Sequence, residues 1–342
     1  MPLILLIVKI YIKILISKVY KLTMKILAIQ NRMGIGDTVI FLPFIKAISK
    51  KFGAPVSLLV KENSKANEFL NQTNYIDEII HLERDNKINQ KHDGLKGFFK
   101  LASDIKKYNF NKVFIFNSSL RYNLISRLAG IKEIFQYPLF EKQNQHITES
   151  AKKLIKRYLD IETSDNPEIQ IDNDLVQKSA VKFNINDKLN ILLGIGGSGP
   201  TKRIPSKTFL NVMERLENFK KCRFFLATGK NEDEQKILME ILNTKFREKC
   251  VALDNLSIKE TLPIIKNCNV AICNDTSFSH LSSALGIKTI TLMADTPLIY
   301  GSYNTNMHPI IPDGETTVSH NTHGKDKINP DKIYEKLLSI IN

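Results

Sequence analysis

Three stretches carry side chains suited to holding an anion and taking up a proton. In the first, Asn274-Asp275-Thr276-Ser277-Phe278-Ser279-His280 follows the apolar run Val270-Ala271-Ile272-Cys273 and precedes a helix-like run from Leu281 to Leu285, closed by Gly286. An unbroken Val/Ile/Cys run reads as a buried strand. A strand that turns into a helix through polar residues presents the helix's free N–H groups and dipole, and this favours an anion such as a nucleotide sugar. Asp275 and Thr276 also suit a plain helix cap. The second stretch is Gly194-Ile195-Gly196-Gly197-Ser198-Gly199-Pro200-Thr201-Lys202-Arg203. Its glycines let backbone approach a phosphate, Ser198 and Thr201 add hydroxyls, and Lys202 and Arg203 add charge. It lacks the Walker spacing, and a solvated basic turn is the plainer alternative. The third is Gly34-Ile35-Gly36-Asp37. The third glycine of a dinucleotide fingerprint would fall on Val39, so hydride transfer is not indicated. Asp37 remains, either as a helix cap or as a carboxylate able to take a proton from a hydroxyl.

Other candidates are weaker. Asp172-Asn173-Asp174 has the form of a metal-binding D-x-D but sits in a polar stretch. His320 and His323 lie in a tail-like segment, and His146 suits a surface or capping place before a helix. Phe41 and Phe44 fall on a helical run and read as core. Cys222, Cys250, Cys268 and Cys273 include no C-x-x-C pair, so neither zinc nor a disulfide is indicated and a reducing compartment is expected. The expectation is no metal and no cofactor.

These stretches need strands and helices to hold them, and the pattern supplies both. From Lys25 to Leu159, strand-like runs alternate with helix-like ones, and the alternation resumes at Asn190. This implies parallel sheets with helices on both faces: an α/β chain of two Rossmann-like domains. The expected division is a domain over 24–160, a linker over 161–188 rich in Asp, Asn and Ser, and a second domain over 189–342 with a final helix from Pro330. No solenoid-period repeat stands out.

The length of 342 residues fits two domains, and 43% hydrophobic residues can bury a substantial core. The net charge of +14, from 49 Lys+Arg against 35 Asp+Glu, suits nucleotides, phosphorylated glycolipid or a membrane face. It permits nucleic acid too, but no aromatic–basic interleaving typical of such surfaces is present. Residues 1–23 are Leu/Ile/Val/Tyr-rich, with Lys9, Lys13, Lys18 and Lys21 and no acid. They make a poor spanning helix and a poor signal peptide. They suit either an in-plane membrane helix or an upstream extension before Met24.

Together the segments resemble glycosyltransferase family 9, the ADP-heptose:lipopolysaccharide heptosyltransferases. The resemblance rests on Met33 to Pro43, Phe116 to Gly130, the loop Gly196 to Pro205, and Asp275 to His280, in that order. It implies the GT-B architecture: two Rossmann-like domains with parallel sheets facing a cleft, the first for the acceptor and the second for the nucleotide sugar. It implies an inverting, metal-independent transfer with Asp37 as catalytic base, and domain closure that excludes water. It implies donor contacts from Ser198, Thr201, Lys202, Glu232, Asp275, Thr276, Ser277 and His280, with Arg121 on the acceptor side. The expected partners are ADP-heptose or a similar nucleotide sugar, a lipopolysaccharide core acceptor and the inner membrane surface, with no nucleic acid. The expected place is cytoplasmic, peripheral at the inner face of the cytoplasmic membrane. Ser277 stands where the family has Gly, and Ala294 stands near another usual Gly; both bear on the donor sugar. A different GT-B transferase, a sugar-nucleotide epimerase and a non-catalytic nucleotide-sugar-binding protein are the alternatives.

Overall fold

The computed structural model describes residues 24–32, 34–85, 89–139, 147–185 and 188–341. The 1–23 segment and His146 lie outside them. Contacts divide the chain into two compact units. The first takes the described residues up to Asn67 together with Thr73–Ser164, and the second takes Glu68–Gln72 and Asp165 onward.

The first unit is a parallel sheet in the order β3-β2-β1-β4-β5, from strands β1 (Ile26–Ile29), β2 (Val56–Lys61), β3 (Ile76–Leu82), β4 (Lys112–Ile115) and β5 (Glu133–Gln136). Both β1 and β4 are buried at every position, as apolar strands covered on two faces must be. Helix α1 (Ile35–Phe52) packs with α4 (Ile147–Leu159), and α2 (Gly94–Lys106) with α3 (Leu120–Leu128). One core joins Leu27, Ile29, Val113 and Ile115 to Leu101, Ile105, Tyr122 and Ile125, so α2 and α3 cover the same sheet face.

The second unit begins with α5 (Asn173–Lys182) and holds a six-stranded sheet in the order β11-β10-β9-β6-β7-β8. Its strands are β6 (Leu189–Gly194), β7 (Cys222–Ala227), β8 (Cys250–Ala252), β9 (Val270–Asn274), β10 (Thr289–Leu292) and β11 (Met307–Ile310), all paired in parallel. Helices α6 (Ser206–Phe219), α7 (Glu232–Leu242), α8 (Ile258–Lys266), α9 (Ser277–Ala284) and α10 (Pro330–Ile341) connect and close it. The polar 161–188 stretch therefore carries a helix, started by Asp172, whose side chain accepts from the Asp174 N–H. That bond uses the D-x-D motif as a cap.

In both units the strand order reverses beside the first strand of the unit. The reversal lies between β1 and β4 in one and between β6 and β9 in the other. Loops leaving the carboxyl ends of strands at such a point diverge and leave room for a ligand. Asp37 follows β1, the glycine loop follows β6, and Asp275 follows β9. Among the described residues no helix is long and apolar enough to cross a membrane.

Candidate active site

In the second unit, buried Asn274 at the end of β9 donates to the carbonyls of Ile195 at 2.9 Å and Gly196 at 3.0 Å. This clip ties β9 to the start of the glycine loop. The next residue, Asp275, is buried and accepts from Lys202 Nζ at 2.9 Å. Burial opposes its charge, but the Lys202 ammonium outweighs that and holds the carboxyl below its ordinary value. Thr276 occupies the cap position of α9 without a side-chain cap bond, and its buried Oγ1 has no partner among the described residues. Asp275 is thus an ion-pair partner and not a cap. The helix begins at Ser277, four residues earlier than its apolar pattern suggests. His280 lies one turn in, buried, with Nδ1 3.0 Å from the Tyr303 hydroxyl and the rings stacked.

The glycine loop is held from below by an acid that the sequence reading passed over. Glu234, buried in the first turn of α7, accepts the Gly197 N–H at 2.7 Å and also takes a bond from Asn231 Nδ2. A Cβ on Gly196 would lie 2.4 Å from Glu234 Oε1, and one on Gly229 would lie 2.2 Å from Oε2. A side chain at either place would displace the Glu234 carboxylate from its present position. Glu232, the residue expected at the nucleotide, stands exposed at the start of α7, and the loop contact belongs to Glu234. The Gly196 N–H bonds the Ala227 carbonyl. Of the loop amides from Gly196 to Gly199, the first two are therefore engaged within the protein, leaving those of Ser198 and Gly199. Ser198 is exposed, and Thr201 lies against Asp295. Asp295 itself is buried and accepts the His323 N–H at 2.8 Å. Ser277 is half-buried beside Thr276.

In the first unit, α1 is entered through Gly34 at φ +100°, a conformation that favours glycine. Gly34 is the cap residue, and Asp37 is the third residue of the helix. Its Oδ1 lies 4.0 Å from Arg32 Nη1. Asn117, after β4, donates to Asn31, after β1, so the two loops at the reversal are joined. Both side-chain amide atoms of Gln30, Ser118 Oγ and Tyr137 Oη are buried without partners among the described residues, a polar edge suited to a polyhydroxylated ligand. Arg121 answers a different demand. It donates to the Gly94 carbonyl at 3.1 Å and the His92 carbonyl at 2.8 Å, and lies over the Phe98 ring. These contacts clamp the start of α2.

Among the described residues no three His, Cys, Asp or Glu side chains gather as a metal-holding group. The family model described as "Glycosyltransferase family 9 (heptosyltransferase)" matches residues 101–337. The chain belongs to glycosyltransferase family 9. This glycosyltransferase is 25% identical over 335 aligned residues to lipopolysaccharide heptosyltransferase 1 of Campylobacter coli, covering 88% of this chain and 92% of that one. Among solved structures it resembles the E. coli ADP-heptose lipopolysaccharide heptosyltransferase II, with a TM-score of 0.71 at 17% identity, over 93% of this chain and 98% of that one. It also resembles E. coli heptosyltransferase WaaC with ADP, with a TM-score of 0.66 at 15% identity, over 93% and 100%. The two parallel-sheet units are those of the GT-B architecture. The matched span of the family model holds Lys202, Asp275 and His280, while Asp37 precedes it.

Two outcomes test the local chemistry of this family 9 enzyme. Replacing Glu234 by Ala leaves the buried Gly197 N–H without an acceptor, a loss of about 1–3 kcal/mol. Melting temperature and donor affinity should both fall, with Glu234→Gln milder because its amide oxygen still accepts. Normal melting and binding in Glu234→Ala would remove its role. The second outcome concerns pH. Burial lowers the pKa of His92, His280 and His308, so in each case the unfolded chain binds the proton more readily. This stability is present above about pH 6.5 and is lost as pH falls. Melts at pH 7, 6 and 5 should show a falling midpoint, with a shallower fall in His280→Gln. An unchanged slope would mean that His280 contributes none of it.

Proposed function

We propose that the protein transfers a heptose, or a closely related sugar, from an ADP-sugar to a lipopolysaccharide core acceptor, with inversion and without a metal. Asp37 takes the proton of the acceptor hydroxyl as that oxygen bonds to the anomeric carbon. The bond from that carbon to the diphosphate oxygen breaks, and ADP leaves. Lys202, the Ser198 and Gly199 N–H groups and the start of α9 stabilise the charge that develops on the diphosphate. Thr201, Thr276, Ser277 and His280 complete the donor side, with Glu232 at its exposed rim. The observation that carries this reading is the Lys202–Asp275 pair at the reversal between β6 and β9, inside the span matched by the family model. The names of the relatives supply the heptose, the ADP and the lipopolysaccharide. The proposed place is the cytoplasm, peripheral at the inner membrane surface, in keeping with the net charge of +14.

Calorimetric titration with ADP-heptose, ADP, and UDP- and GDP-sugars, with and without EDTA, tests the donor. Selective, EDTA-insensitive binding of ADP-heptose is expected. Preference for a UDP- or GDP-sugar would move the substrate and direct attention to Ser277 and Ala294. Binding abolished by EDTA would overturn metal independence.

A further inference from the structure

Helices α2 and α3 turn large apolar side chains to solvent. Leu95 is 81% exposed, Phe99 62% and Leu128 52%, with Leu124 and Leu120 next at 42% and 39%. Leu95 and Phe99 are one turn apart on α2. Leu120, Leu124 and Leu128 form a stripe at successive turns of α3. None of them belongs to the core, because each helix already buries another face. That face is Gly97, Leu101 and Ile105 on α2, and Tyr122 and Ile125 on α3. The Arg121 clamp fixes the start of α2 beside the start of α3.

The charges around this face are mostly positive. From Gly94 to Lys132 the sole acid is Asp104, and it is already met by Lys91, Lys100 and Lys107. Lys96, Lys106, Arg127 and Lys132 are exposed, with no carboxylate in ion-pair reach among the described residues. We propose that the outer face of α2 and α3 docks on an anionic lipid bilayer. Its leucines and Phe99 enter the boundary of the acyl chains, and its lysines reach the phosphates. A second copy of the chain is the poorer occupant, because it would bring the same positive charge against this face.

The position of the face deepens the proposed membrane association and rests on it. Both helices start at the carboxyl edge of the sheet that carries Asp37, and the Asn117–Asn31 bond joins the loop before α3 to the loop before α1. Docking here brings that edge to the surface from which the sugars of a lipid-anchored acceptor project.

The test is cosedimentation of the full chain with vesicles of phosphatidylglycerol and phosphatidylethanolamine, beside vesicles of phosphatidylcholine. Wild type should bind the anionic vesicles and scarcely bind the neutral ones. The double variant Leu95→Ser/Phe99→Ser should lose about tenfold or more of that binding. Both side chains are mostly exposed, so melting temperature and ADP binding should stay at wild-type values. The variant Lys96→Gln/Lys106→Gln should narrow the preference for anionic vesicles. Wild-type binding by the Leu95/Phe99 variant would overturn the face while leaving membrane association itself intact. No binding of wild type to either vesicle would overturn both. Wild-type self-association that the Leu95/Phe99 variant abolishes, without vesicle binding, would make the face a contact between copies.

Discussion

Asp37→Ala is expected to lower the turnover of sugar transfer by about 10²–10⁴-fold, while donor binding stays close to wild type. Gly34, not Asp37, is the cap residue of α1. As an acid in the first turn Asp37 adds a favourable charge to the helix, about 0.3–1 kcal/mol. Arg32, at 4.0 Å, is half-exposed and adds little. Single-turnover transfer, donor calorimetry and thermal melting on one preparation decide the matter. A purely structural Asp37 would lower the melting temperature with turnover retained. Wild-type turnover in the variant would end its assignment as the base.

Lys202→Ala has the second large effect, on the other side of the reaction. The ammonium has three donors, and the Asp275 bond at 2.9 Å occupies one. The others are free to reach a diphosphate, at about 1.5–3 kcal/mol for a charge-assisted bond. Donor affinity should fall about 10–100-fold. The variant also leaves buried Asp275 without its cation, so its pKa rises. The stability that the depressed pKa provides above about pH 4 shrinks, and it is lost at a higher pH as acid is added. Calorimetry and melts between pH 4 and 7 read the two effects separately. Unchanged ADP affinity would leave Lys202 a structural partner of Asp275 alone.

Much of this was legible in the residue pattern. The buried runs Ile26–Ile29 and Val270–Cys273 are unbroken and apolar, and glycine turns follow β1 and β6. The first residues of α9, Ser277, Phe278 and Ser279, form no apolar stripe, yet the polar turn before them placed His280 one turn into the helix, where the structure has it. Helix α5 lay in a polar stretch with one short apolar run. Edge strand β11, Met307–Ile310, contains Pro309 and His308, which mask a strand signal. Among the site residues, Asp275 and Lys202 share one ion pair. Glu234 was overlooked beside Glu232, although helical geometry distinguishes an exposed first position from a buried third. Asn274 and Asp295 were missed as well. A polar residue ending a strand reads as a loop residue until the neighbouring strand supplies the carbonyls or N–H groups it bonds.

The most direct test is ADP release from ADP-heptose, followed with and without a heptose-free lipopolysaccharide core and repeated in EDTA. The expected result is release that requires the acceptor, persists in EDTA and disappears in Asp37→Ala. Release that is independent of acceptor, or no turnover of ADP-heptose beside rapid turnover of a UDP- or GDP-sugar, would contradict the account.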